Sequence, residues 1–201
     1  ENKLFKNSYS NNLNRNIKIL PIIFGDLMKY SIKSLSEFLK SDAYVIFGSS
    51  YIKGELLDFL VKQRAINIHM GVSPYYRGAD CNFWALYDDN PHLVGATIHL
   101  LSKGLDSGPI LYHAMSSIKV NPFEYTMSTV KAAFYSVTER IKDNSILKIN
   151  PAIQNKNKEI RYSRKNEFNE EIVREYLKKK IDVSSKKFDN SLLKDPFFLN
   201  N

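Results

Sequence analysis

Asn67 and His69 stand two residues apart in Ala65-Ile66-Asn67-Ile68-His69, and Asp106 stands in the glycine-flanked run Lys103-Gly104-Leu105-Asp106-Ser107-Gly108-Pro109. Alternate residues of an extended strand face the same side, so the asparagine and the histidine project together. Asparagine supplies an amide N–H donor, and histidine gives or takes a proton near neutral pH. An aspartate beside an imidazole orients it and favours its charged form. These groups suit acyl transfer to an amine, in which a carbonyl oxygen gaining charge needs donors and an ammonium must lose a proton. A structural reading stands beside this one: a histidine ending a strand, an asparagine near a turn and an aspartate before Ser-Gly all serve local geometry.

Other chemistries find less support. No serine occupies a G-x-S-x-G elbow, so a hydrolase of that kind has no nucleophile. Cys81 is the sole cysteine; it can form no internal disulfide, cannot hold zinc alone, and reads as a small packing residue. His92, His99 and His113 lack metal-ligand spacing, so no metal is expected. Neither a G-x-G-x-x-G turn nor a P-loop is present.

Positioning the three residues requires a sheet. Ile17 to Phe24 is apolar and β-prone, and residues 31–40 place Ile32, Leu35, Phe38 and Leu39 on one helical face. Ala43 to Phe47 is a short apolar run closed by Gly48-Ser49-Ser50, the pattern of a strand buried on both faces. A helix carrying Ile52, Leu56, Leu57 and Leu60 follows, then the Ala65–His69 strand. This alternation predicts an α/β fold with a Rossmann-like, mostly parallel sheet and flanking helices. Asn67 and His69 fall where their strand runs out, and open α/β sheets bind ligands outside the carboxyl ends of their strands.

Residues 70–82 read as a loop, and Trp84-Ala85-Leu86 as a short helix or turn. Residues 94–101 alternate with period two, and Ile110 to His113 is the strand leaving the Asp106 loop. Asn121-Pro122-Phe123-Glu124 starts a helix, with a capping side chain, proline at the first helical position and glutamate three residues after the cap. A stripe of Met127, Val130, Phe134, Val137 and Ile141 predicts its buried face. Residues 1–150 thus form the core and 151–201 a C-terminal extension: a polar stretch at 154–158, an exposed strand or arm near Ile160–Arg164, a helix over 169–181, and apolar Phe188, Leu192, Leu193, Phe197 and Phe198. Those apolar residues wrap the domain or pair with a second subunit, so a homodimer is one expectation. The sequence reads as starting in the middle of this fold: either the first strands were trimmed or the domain is genuinely small.

The chain has 201 residues, 43% hydrophobic and 25% charged, and no apolar run long enough to span a bilayer. A net charge of +8 fits nucleic acid, a small polyanionic substrate such as a nucleotide derivative, or simply a lysine-rich composition. The late lysines, Lys178, Lys179, Lys180, Lys186 and Lys187, do not interleave with aromatics as a stacking surface requires, so nucleic acid is not the expected partner. The lone thiol fits a reducing, cytoplasmic compartment.

Asn67-Ile68-His69-Met70-Gly71-Val72-Ser73-Pro74-Tyr75-Tyr76-Arg77-Gly78, followed by Gly95-Ala96-Thr97-Ile98-His99 and Leu105-Asp106-Ser107-Gly108-Pro109-Ile110, resembles the folate-dependent formyltransferases. That family includes glycinamide ribonucleotide transformylase, methionyl-tRNA formyltransferase and the sugar N-formyltransferases. Its Asn-x-His strand end, Pro-x-x-Arg/Lys-Gly loop and later x-Asp-x-Gly loop occur here in order, over roughly residues 40–115. Met70, Gly71 and Ser73 depart from the commoner Pro-Ser and Leu of that loop.

The resemblance implies 10-formyltetrahydrofolate as donor and a primary amine as acceptor. Asn67 would donate to the formyl oxygen, His69 would stabilise that oxygen or shuttle the amine proton, and Asp106 would orient His69 or accept the proton. Phe47, Gly48, Ser49, Ser102, Gly104 and Leu105 would flank the pterin, although Gly48 and Ser49 equally make an ordinary turn. Tyr75 and Tyr76 would stack a sugar or base, or simply pack. Arg77 or Lys103 would meet an acceptor phosphate, or remain solvated. Trp84, in Asn82-Phe83-Trp84-Ala85-Leu86, looks most like the sugar enzymes, and the C-terminal extension does not read as the further barrel of a methionyl-tRNA enzyme. The leading expectation is therefore a nucleotide-linked amino sugar as acceptor, as in lipopolysaccharide O-antigen synthesis. Glycinamide ribonucleotide or methionyl-tRNA is the alternative within the family. A basic nucleic-acid-binding module or a non-catalytic interaction protein is the alternative outside it.

Overall fold

Strand β2 (Ile66–His69) carries the two residues around which the rest is arranged. Its β-branched Ile66 and Ile68 sit in the same core cluster as Ala132, Ala133 and Val137, which leaves Asn67 and His69 on the opposite face. The computed structural model describes residues 17–179 and 189–199. With strands β1 (Val45–Phe47), β4 (Ala96–Leu100), β5 (Ile110–Ser116) and β7 (Phe197–Leu199), β2 forms a sheet of order β1-β2-β4-β5-β7. A parallel two-stranded sheet pairs β3 (Tyr76–Gly78) with β6 (Arg161–Ser163). The helices are α1 (Ile32–Leu35), α2 (Gly54–Lys62), α3 (Cys81–Tyr87), α4 (Pro122–Lys142) and α5 (Glu170–Lys178).

The α/β sheet with flanking helices is as expected, but its pairings are mixed. β1–β2 and β5–β7 are parallel, whereas β2–β4 and β4–β5 are antiparallel. β4 and β5 are joined by the short Asp106 loop, too short for the crossover that a parallel pair demands. Antiparallel register sets Asn67 directly opposite His99.

Burial departs from the periodicity at two places. Val45 and Phe47 are 43% and 44% exposed, not buried on both faces, because among the described residues β1 pairs only with β2 and forms the sheet edge. Helix α4 begins as its sequence dictates, with Asn121 Oδ1 accepting from Glu124 N at 3.1 Å and Pro122 in the first turn. Its buried face, however, runs through Tyr125, Thr129, Ala132, Ala133, Ser136 and Val137. Small side chains let the helix close on the sheet, while bulky Phe134 is left at the margin, its ring 4.9 Å from that of Phe47. Residues 17–23 form no strand; Ile17, Ile19 and Ile23 are exposed.

The C-terminal extension is woven into the domain. Arg161 donates to both carboxylate oxygens of Asp88, at 2.9 and 2.7 Å, and its guanidinium lies 4.4 Å over the Trp84 ring. Ile172, Tyr176, Leu192, Leu193 and Phe198 pack against the core, so the described apolar tail wraps the domain. Phe188, Lys180, Lys186 and Lys187 lie outside the described residues.

A buried histidine fastens the end of that tail. His113 Nδ1 accepts from Lys194 N at 2.8 Å, so its Nε2–H donates to Ser73 O, also at 2.8 Å. Burial pushes this imidazole down to about 4, which agrees with a neutral ring using one nitrogen as acceptor.

Candidate active site

Strand alternation, antiparallel register and one tight loop bring Asn67, His69 and Asp106 together. Asp106 adopts φ 44°, a left-handed conformation that aspartate tolerates better than most residues. Its Oδ2 lies 3.5 Å from His69 Nδ1, and its Oδ1 lies 3.4 Å from Asn67 Nδ2. His69 Nε2 sits 3.2 Å from Tyr76 O. A carbonyl only accepts, so that nitrogen carries a proton. A hydrogen bond between Nδ1 and the carboxylate then requires one further proton, held by either partner.

The fourth member of the cluster is His99, which belongs to a matched motif but carries no role in the sequence reading. Its Nδ1–H donates to Leu100 O at 2.8 Å, which frees Nε2 to accept from Asn67 Nδ2 at 3.0 Å. Burial is the main force pushing His99 down to about 4, and neighbouring His69 lowers it further. A neutral His99 fixes which way the Asn67 amide points. The signal for it was present: an antiparallel pairing of residues 66–69 with 97–100 puts His99 across from Asn67.

These residues line a cavity of about 610 Å³, within the size range of small-molecule sites. Phe47, Gly48, Ser49, Ser102, Gly104 and Leu105 all line it as well. Ile46, Ile52, Leu57 and Leu101 make part of its wall apolar, which suits a flat heterocycle next to a polar reacting end. A folate-type formyl donor therefore fits the residues present.

The five residues expected at the acceptor do not line the cavity. Tyr75, Tyr76 and Trp84 are buried in the core. The Tyr76 hydroxyl donates to Asp88 and accepts from Asn90, and burial raises its phenol to about 12. Arg77 is buried too, with Nη1 on Glu159 Oε2 at 3.0 Å and Nη2 on Leu105 O at 2.9 Å. Lys103 is exposed and lies 3.3 Å from Asp58. Instead, the C-terminal extension contributes Tyr162, Ser163, Arg164 and Lys165 to the wall. Cys81 is buried beside the site, and desolvation raises its thiol to about 12, so it stays protonated.

The fold and this cluster define a class, and comparison with known proteins agrees. Residues 32–144 match the family model for formyl transferases, more than half of the chain, and the protein belongs to that family. Methionyl-tRNA formyltransferase of Thermodesulfovibrio yellowstonii is 32% identical over 111 residues, 54% of this chain and 35% of that protein. The Thermotoga maritima enzyme of the same name is 34% identical over 95 residues, 46% of this chain and 29% of that protein. The chain thus spans about a third of the length of these curated relatives. Among solved structures, the formyltransferase PseJ from Anoxybacillus kamchatkensis, crystallised with UDP-4,6-dideoxy-4-formamido-L-AltNAc and tetrahydrofolate, superposes with a TM-score of 0.53. It is 27% identical, over 72% of this chain and 75% of that one. A 4-N formyltransferase from Francisella tularensis shares the fold, with a TM-score of 0.51 at 24% identity over 68% of this chain and 56% of that one.

Proposed function

We propose that the protein transfers a formyl group from 10-formyltetrahydrofolate to the primary amine of a nucleotide-linked amino sugar. The observation that carries this reading is the convergence of Asn67, His69 and Asp106 at 3.4–3.5 Å on the wall of a ligand-sized cavity. The choice of a sugar acceptor is supported by the likeness to PseJ, solved with a UDP-linked formamido sugar.

The donor supplies an activated formyl carbon; the chain supplies positioning and proton handling. Asn67 commits one amide hydrogen to His99 and holds the other only loosely, 3.4 Å from Asp106. That second hydrogen is the one available to a formyl oxygen as it gains negative charge. As the amine bonds to the formyl carbon, the bond from that carbon to the donor's nitrogen would break; the amine must lose a proton and the departing nitrogen gain one, and the His69–Asp106 pair is placed to receive the amine's proton. Phe47, Gly48, Ser49, Ser102, Gly104 and Leu105 would flank the pterin. Arg164 and Lys165 would supply positive charge toward the acceptor diphosphate.

The test is an acceptor screen with 10-formyltetrahydrofolate against amino sugars linked to UDP, dTDP or GDP, with glycinamide ribonucleotide and methionyl-tRNA as further arms. A formylated nucleotide sugar, with turnover falling at least 100-fold in Asn67→Ala, is the expected result. Transfer to methionyl-tRNA alone would move the acceptor to the reading that the curated relatives suggest. Equal turnover by wild type and Asn67→Ala would overturn the roles assigned here.

A further inference from the structure

We propose that Gln154, in the extension beyond the family-matched region, is a positioning residue that holds the Asp106 carboxylate against Asn67 and His69. Gln154 Nε2 donates to two carbonyls of one loop, Asp106 O at 2.9 Å and Gly108 O at 2.7 Å. The opposite amide orientation would aim an oxygen at two oxygens, so this one is forced. Among the described residues, its own buried Oε1 finds no hydrogen-bond partner. An amide kept at that cost serves its two acceptors, not its own satisfaction.

The loop needs such a hold. Asp106 sits at φ 44°, and an extended or helical backbone there would swing its side chain away from β2. Left-handed conformations of non-glycine residues persist where surrounding contacts over-determine them. The residues around Gln154 are themselves anchored: Ala152 exchanges two backbone hydrogen bonds with Ile110, at 2.7 and 2.8 Å, at the far end of the same loop. From the other side, Arg77 holds Leu105 O while ion-paired with Glu159. The carbonyls of Leu105, Asp106 and Gly108 are therefore held with help from the extension, two directly by Gln154 and one by Arg77, which Glu159 pairs.

This assignment rests on the formyl-transfer reading for its kinetic consequences, but its structural part can be read without turnover. Gln154→Leu keeps the size and removes both donors; Gln154→Glu keeps the shape and regains one donor only when protonated. In ¹H–¹⁵N spectra, both variants at neutral pH are expected to move the Asn67 side-chain amide signals and the backbone signals of residues 105–108, while core signals stay in place. In steady-state assays, kcat is expected to fall at least tenfold with the donor KM within about threefold. Gln154→Glu should recover part of both losses on acidification, relative to wild type at the same pH. A residue that merely stabilises the fold shifts the unfolding midpoint but leaves the Asn67 amide signals and the kcat of the folded protein unchanged, so the glutamate variant, read on its folded fraction, carries the test if the leucine variant fails to fold. Unmoved signals at Asn67 and 105–108, or an unchanged kcat, overturn the proposal. Moved signals in a protein that transfers no formyl group uphold the brace and refute the proposed reaction instead.

Discussion

Gly71 lies where His69 and Cys81 leave no room. A Cβ built on it would come within 2.8 Å of His69 Nε2 and 2.5 Å of Cys81 Cβ. Gly71→Ala is therefore expected to displace the imidazole from Tyr76 O and from Asp106, lowering kcat by about tenfold or more, measured against an unchanged circular dichroism spectrum. The His99 ring gives a second residue-scale test. His99→Leu removes the acceptor that fixes the Asn67 amide and leaves that half-buried amide free to turn. Turnover should fall by about 10- to 100-fold; a His99→Leu protein with wild-type kcat would show that Asn67 needs no such partner. The convergence of Asn67, His69 and Asp106 was partly legible: period two and a glycine-flanked loop are local signals, but they left a purely structural reading open, and the motif resemblance decided between the two. His99 needed a strand pairing, and Gln154 needed a contact 48 residues away in a stretch with no periodicity.

At the scale of elements, helix α4 shows why a stripe of large apolar residues is an unsafe guide to the buried face. Its contact with the sheet depends on Ala132, Ala133 and Ser136, which hydropathy alone ranks below Phe134. Ala133→Leu should therefore destabilise the protein by about 1–3 kcal/mol through overpacking, whereas Phe134→Ala at its half-exposed position should cost less; chemical denaturation distinguishes them. β3 was hidden for a related reason: Tyr76-Arg77-Gly78 is too short to alternate visibly and exists because β6 lies alongside it. Helix α2 was readable, since Leu56, Leu57 and Leu60 are both its apolar stripe and its buried residues.

For the whole molecule, the buried neutral histidine His113 couples stability to pH. Its folded value, about 4, lies below the ordinary 6.5, so the unfolded chain binds a proton that the folded one refuses. The stabilisation is complete above pH 6.5 and is lost as pH falls from there toward 4, by about 3 kcal/mol for this one ring. Denaturant titrations of wild type and His113→Gln across that interval check it; the variant should lose correspondingly less. The loss should be felt first at the tail, because Lys194 N donates to the nitrogen that becomes protonated.

The contacts that steady the Asp106 loop join residues far apart along the chain: Gln154 to Asp106 across 48 positions and Arg77 to Glu159 across 82. Pairings of such span form late, after the entropy of closing long loops has been overcome. During synthesis, β1 through β5 emerge with Asn67, His69 and Asp106 already in sequence but without Gln154 and Glu159. On the proposed role of Gln154, the Asp106 loop is braced only once the segment near residue 160 has left the ribosome, well after Asn67, His69 and Asp106 themselves have emerged.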